Sequence, residues 1–110
     1  MPPIELPGIC KIATTGKTVI VTSTTATGST AIPVDSNGQP AKILRVIADH
    51  NCHIQFGANG AANSATQNDI LLTPNGGADY FNVKGQAAFS ICLDSGSSLT
   101  AVVNLVAVEL

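Results

Sequence analysis

Charge is the scarcest ingredient of this chain. Asp, Glu, Lys and Arg make up 11% of its 110 residues, against ~25% in an ordinary soluble domain. The five basic residues, Lys11, Lys17, Lys42, Arg45 and Lys84, are scattered among seven acidic ones, and the net charge is -2. No basic stripe forms and few phosphates could be neutralised at once, which excludes a strong nucleic-acid footprint. Tryptophan is absent, and the aromatic residues are only Phe56, Tyr80, Phe81 and Phe89. A core must therefore come from Val, Ile, Leu and Ala, with Thr at its edges. The cysteines, Cys10, Cys52 and Cys92, are odd in number and form no Cys-x-x-Cys pair. That usage suits buried thiols in a reducing compartment better than a secreted disulfide scaffold. Long apolar runs are missing as well: no stretch of ~18 apolar residues offers a membrane helix. Residues 1–5 carry neither the basic nor the apolar region of a signal peptide. A cytoplasmic origin is the expectation.

What remains is a chain of short alternating segments. Residues 1–8 contain Pro2, Pro3 and Pro7, which lack amide donors and favour extended backbone. They read as an arm that either frays or lies on a neighbouring subunit, followed by one domain over 9–110. In 18–23, Val19 and Val21 share one face while Thr18, Ile20 and Thr22 share the other. The Thr/Ser/Gly-rich stretch 24–30 fits a loop or a polar edge strand. Asn37-Gly38 signals a hairpin turn. In 42–48, Leu44, Val46 and Ala48 oppose Ile43, Arg45 and Ile47. In 51–56, Cys52, Ile54 and Phe56 oppose His53 and Gln55. Residues 57–68 are small, polar and aperiodic, the longest loop and the expected mobile segment. Further strands are expected at 69–73, 79–83, 87–93 and 99–110. In 87–93 the inward set is Ala87, Phe89, Ile91 and Leu93, with Ser90 outward. The last segment is apolar on both sides, Leu99, Ala101, Val103, Leu105 and Ala107 against Val102, Val106, Val108 and Leu110. A strand of that kind is covered on both faces, one by the core and the other by an arm, a loop or a second chain.

About eight strands at 8–12-residue spacing, with no helical periodicity, predict an all-β sandwich or barrel. A jelly roll or related Greek-key β-sandwich is favoured. An immunoglobulin-like sandwich is the alternative, without its Cys…Trp…Cys hallmark.

Motifs for chemistry are fragmentary. Gly16-Lys17-Thr18 shares three residues with a phosphate loop, but Lys11 occupies the position of the first glycine and a strand follows where a helix is required. Asp49-His50-x-Cys52-His53 gathers possible metal ligands, yet strand alternation sends Cys52 and His53 to opposite faces, away from a shared tetrahedral site. Asp35-x-Asn37-Gly38 begins like a calcium loop and lacks its later ligands. The acids are dispersed, no Gly-x-Ser-x-Gly elbow exists, and nothing in sequence supports His50 or His53 as an acid or base. The expectation is a non-enzyme with no metal and no cofactor. Arg45 stands out because an Arg among apolar neighbours often pairs with a carboxylate at an interface. The alternative is an Arg that snorkels from an exposed sheet.

From Arg45 onward the chain shows a run of connected motifs: Arg45-Val46-Ile47-Ala48, Cys52-His53-Ile54-Gln55-Phe56-Gly57, Ile70-Leu71-Leu72-x-Pro74, Asp79-Tyr80-Phe81-x-Val83, Val103-Asn104-Leu105 and the terminal Glu109-Leu110. Over these last two-thirds the chain resembles the small capsid decoration (cement) proteins of tailed bacteriophages. The resemblance implies a compact β-sandwich on the outer surface of the capsid, made in the host cytoplasm, with no catalytic residues. It implies a staple that bridges neighbouring major capsid proteins, acting as a small homo-oligomer, with a homodimer favoured and a trimer possible. No nucleic acid and no membrane are expected as partners. The interface residues expected are Pro2, Pro3, Ile4, Arg45, Val106, Val108 and Leu110. Two competing functions are a carbohydrate- or receptor-binding β-sandwich of a phage tail or spike, disfavoured by the few aromatics, and a cupin-type enzyme, disfavoured by only two His residues.

Overall fold

The structure is a computed structural model that describes residues 11–12, 16–57, 64–97 and 99–109. It is all-β: β1 (Lys11–Ile12), β2 (Lys17–Val21), β3 (Thr30–Ala31), β4 (Ile43–Ala48), β5 (Cys52–Gly57), β6 (Ile70–Leu72), β7 (Asp79–Asn82), β8 (Ala88–Leu93) and β9 (Ala101–Glu109), with one 3-10 turn at Pro74–Gly76. Every strand pairing is antiparallel. Sheet A has the order β1-β9-β4-β7, with β2 pairing the same strand β9, and sheet B has the order β3-β8-β5-β6. The ladders nest around the chain's midpoint: β2 with β9, β3 with β8, β4 with β7, β5 with β6.

The core lies between the sheets. Sheet A contributes Val21, Leu44, Val46, Ala48, Ala101, Val103, Leu105 and Ala107 to one buried cluster, and sheet B contributes Cys52, Ile54, Leu72, Phe89, Ile91 and Leu93. The period of two explains the division. In β4 the core takes Leu44, Val46 and Ala48, as their alternation predicts, and Ile43, Arg45 and Ile47 lie on the opposite face, half-buried. The rings of Phe56 and Phe81 meet at 5.5 Å between centroids at the edge of this cluster.

Turns form where the sequence signals them. Gly38 and Gly85 adopt φ of +78° and +87°, values that glycine reaches at no steric cost. The first closes the Asp35–Gln39 turn, where Asp35 N donates to Gln39 O at 2.7 Å. Asp35 Oδ1 also accepts from the amides of Asn37 and Gln39, so this carboxylate serves the turn, as the hairpin reading of the segment predicts. Gly16 lies where a Cβ would sit 2.6 Å from the Leu105 carbonyl oxygen and from Val106 Cγ2, and Lys17 begins strand β2 rather than a phosphate-binding helix.

Two expectations are amended. Leu99 is outside β9, which starts at Ala101, and is 58% exposed rather than part of the inward row. The segment expected to be mobile, 57–68, divides: Gly57 ends β5, 58–63 lie outside the described residues, and Ser64, Ala65 and Gln67 are tied to sheet B through Gln55, Ser90 and Leu93. The N-terminal arm, 1–8, also lies outside the described residues. No helix among the described residues is long and apolar enough to cross a membrane.

Candidate interaction face

The outer faces of the two sheets differ. On sheet B all of β8, from Ala88 to Leu93, is buried, including the outward residues Ser90 and Cys92. Chain segments from both sides cover it. Thr27 lies along β8, its N donating to Ile91 O at 2.8 Å and its carbonyl accepting from Ser90 Oγ at 2.9 Å. Ala65 N donates to the same Ser90 hydroxyl at 3.1 Å. Gln67 Nε2 donates to Leu93 O at 2.7 Å, and its Oε1 accepts from Ser95 N at 2.7 Å. Asp69 Oδ2 accepts from Thr66 N, Thr66 Oγ1 and Gln55 Nε2. The outward polar side chains of sheet B thus hold loops.

His53 anchors this cover. Its Nε2 is 2.7 Å from Asp94 Oδ1 and its Nδ1 is 3.0 Å from the Asp69 carbonyl oxygen. Both partners are acceptors, so only the imidazolium satisfies both. Burial opposes that charge, but the Asp69 carbonyl and the Asp94 carboxylate outweigh it and raise the His53 pKa above its ordinary value. With both nitrogens engaged, His53 has none left to serve as a base toward Cys92, its neighbour in the ladder. The Cys92 thiol is itself pushed up by burial and by Asp69 and Asp94, and Cys52, turned to the core, is pushed up by burial to about 12. His50 pairs instead with Asp49, 3.0 Å away. The Asp49–His53 cluster is therefore split among two sheet faces and a turn, and no group of three metal-ligating side chains occurs among the described residues.

A surface cavity of about 420 Å3 lies between the 35–38 turn and the end of β9. Its wall includes Asp35, which caps the turn, and Glu109, whose Oε1 accepts from the amide and hydroxyl of Ser36. Ser36, Asn37, Lys42, Ile43 and Val108 also line it. The Ser36–Glu109 bonds fasten the turn to β9.

Sheet A keeps its outer face open. The register places four strands' outward residues in rows: Arg45 between Tyr80 of β7 and Val106 of β9, Ile47 beside Asn104 and Thr18, and Ile43 between Asn82 and Val108. A further row pairs Val102 with Ile20 and with Asp49, whose Oδ1 accepts from Val102 N at 2.7 Å. Ile20 is 63% exposed, Tyr80 45% and Val102 40%; Ile43, Arg45, Ile47 and Val106 are half-buried. Arg45 has no hydrogen bond or ion pair among the described residues. Its guanidinium thus stands, without a partner among the described residues, in a mostly apolar four-stranded patch.

Of the residues expected at an interface, Arg45 and Val106 come together as ladder neighbours. Val108 belongs to the same face but is only 5% exposed, so the chain itself covers most of it. Pro2, Pro3, Ile4 and Leu110 lie outside the described residues. Ile20, Ile43, Ile47 and Tyr80 join the face without having been singled out. Their alternation was readable, but the register that groups them is a long-range property. Compared with known proteins, the chain matches no family model, no curated protein and no solved structure.

Proposed function

We propose that this chain is a virion structural protein, a capsid decoration (cement) protein of a tailed bacteriophage that staples neighbouring major capsid proteins and stabilises the head. The observation that carries the proposal is the outer face of sheet A: isoleucines, valines and a tyrosine around Arg45, which has no partner among the described residues. Contiguous apolar patches on a β-sheet mark surfaces that other proteins cover, and Arg with Tyr is the pairing that interface centres favour. The nested ladders and the two four-position sheets support a jelly roll, the double Greek key found in viral capsid domains and lectins. The protein would be made in the host cytoplasm and reside on the outer surface of the capsid, as a homo-oligomer without enzymatic activity or cofactor.

Stapling is a mass-action effect: a ligand that binds only the assembled shell stabilises it by an amount that rises with the logarithm of free ligand over its dissociation constant. A decoration protein needs shape and apolar contact, not chemistry, and several polar side chains here, Asp35, Ser90, Gln67, Asp69 and Asp94 among them, hold turns and loops. Purified protein incubated with heads lacking it should co-sediment with them. Heads stripped of it should lose resistance to heat and low salt; equal resistance with and without it would refute the role.

Tyr80 favours the second reading, a carbohydrate- or receptor-binding module. Sugar sites combine an exposed ring with adjacent polar groups. Here Asp79 pairs with the buried Val46 while Tyr80 pairs with Arg45, so ring and carboxylate point to opposite faces. Apolar neighbours around the ring suit protein better than sugar hydroxyls.

A further inference from the structure

We infer that the outer face of sheet A pairs with the same face of a second copy, across a two-fold axis that lies in the interface plane and crosses β4 at Ile47 and β9 at Asn104. The inference deepens the assembly role proposed above, which it presupposes, by naming the partner of that face. It stands on the order of residues along two neighbouring strands.

The outward residues of β4 are Ile43, Arg45 and Ile47, and alternation continues to the exposed Asp49. Beside them on β9 are Val108, Val106 and Asn104, with Val102 opposite Asp49. One cation on β4 and one anion just past its end therefore follow one line of chain, ~13 Å apart at the usual strand rise, with Ile47 midway. Aligned sheets stack ~10 Å apart. A two-fold axis perpendicular to the strands and passing over the Ile47–Asn104 row reverses strand direction in the second copy. Ile47 then meets Ile47, and Asn104 meets Asn104. Arg45 of each copy meets the partner's Asp49, and Val106 of each meets the partner's Val102. Charge falls on opposite charge, apolar on apolar and amide on amide, in both halves at once. That is the self-complementarity an isologous contact requires.

The local chemistry leaves these groups available. Arg45 is unpaired among the described residues. Asp49 uses Oδ1 for Val102 N and for His50, and Oδ2 takes no partner among the described residues. The Val102 amide and His50 hold the Asp49 pKa below its ordinary value, so the carboxylate is charged when it meets a guanidinium. Asn104 Nδ2 donates to Thr18 Oγ1 at 3.4 Å, which leaves its carbonyl oxygen free to accept. A dimer of this kind would offer two copies of every remaining surface to the capsid, which makes a monovalent binder a bivalent clamp.

Sedimentation equilibrium of the full chain across the micromolar range tests the pairing by charge exchange. The wild type should be a dimer. R45E and D49K should each weaken it roughly tenfold or more, because like charges then face each other in both halves. The R45E/D49K double variant should recover dimerisation. An equimolar mixture of the two single variants should form a heterodimer of near wild-type affinity, since both of its charge pairs are complementary. Should D49K fail to fold through loss of the Val102 contact, I47E and I47K replace it. Each should be monomeric, with like charges on the axis, and their mixture should dimerise. A wild-type monomer, a dimer indifferent to R45E and I47E, or variants that weaken the dimer without recovery on mixing would each overturn the pairing. A wild-type monomer that still binds heads overturns the pairing alone, and assigns the face to the capsid protein. A dimer that leaves heads unbound overturns the decoration role alone.

Discussion

His53 carries the clearest consequence at the scale of single residues. Its two acceptors, the Asp69 carbonyl and the Asp94 carboxylate, favour the charged ring and raise its pKa in the folded state, while the unfolded chain keeps a value near ~6.5. A group whose pKa is raised by folding stabilises the fold fully below the unfolded value and loses that contribution as pH rises through the folded value. Cys92 also faces this site, but its thiol is pushed upward and stays neutral over the same range. Thermal melts should therefore show the midpoint falling as pH is raised from slightly acid to slightly alkaline. His53→Gln should flatten that dependence, and a midpoint that rises with pH in the wild type would contradict the assignment. The Asp94 carboxylate is lowered by its bond to His53 and by the Gly96 amide. Its contribution has the opposite course, present above the ordinary carboxylate value and lost as pH falls through the depressed one.

Gly16 is the second residue with a sharp expectation. A methyl group there would press on the Leu105 carbonyl and on Val106, and backbone cannot give way as a flexible side chain can. Gly16→Ala should destabilise the fold by about 1–3 kcal/mol, the usual cost of overpacking, measured by denaturant titration. The sequence shows only a glycine before a strand. The close approach that demands it comes from β9, at the other end of the chain, and has no local signature.

At the scale of elements, β9 is the strand on which sheet A depends, because β1, β2 and β4 all pair with it. Its inward and outward residues should respond differently to substitution. Leu105→Ala, in the core, should cost about 2–5 kcal/mol. Val106→Asp, on the outer face, should cost about 1 kcal/mol or less, the span of strand propensity, yet weaken self-association and capsid binding. A Val106→Asp variant with unchanged mass and unchanged binding would remove this face from the assembly. The division itself was legible, since a period of two along β4, β5 and β9 sorts core from outside without knowledge of the partners. What alternation leaves open is which outward face the chain covers. Ser90 and Cys92 alternate outward and are buried because Thr27, Ala65 and Gln67, distant in sequence, fold over them. Val108 is likewise outward and largely covered, beside the 35–38 turn. Ile20 and Val102 alternate in the same way and stay open. Burial on an outer face is decided by loops, and loops carry no period.

For the whole molecule, the scarcity of charge has a definite location. The few charged groups of known role serve the architecture: Asp35 builds a turn, Glu109 fastens that turn to β9, the Asp69 carboxylate holds Thr66 and Gln55, and the Asp94 carboxylate holds His53. Arg45 and Asp49 lie toward the outer face of sheet A, among apolar residues and the uncharged Thr18, Asn82 and Asn104. The all-β class and the outward positions of Arg45 and Val106 on their own strands were readable because each follows from local alternation. Strand order was not, because nested pairing joins segments from opposite ends of the chain, and with it the composition of the open face stayed hidden. If this face makes the chain an assembly component of a capsid, purified protein added to heads stripped of it should act on the shell, read as the temperature of DNA release for wild type and Val106→Asp. Wild type should bind and raise the release temperature, and the variant should do neither to the same extent. A release temperature unchanged by saturating wild-type protein would contradict a capsid role for this face.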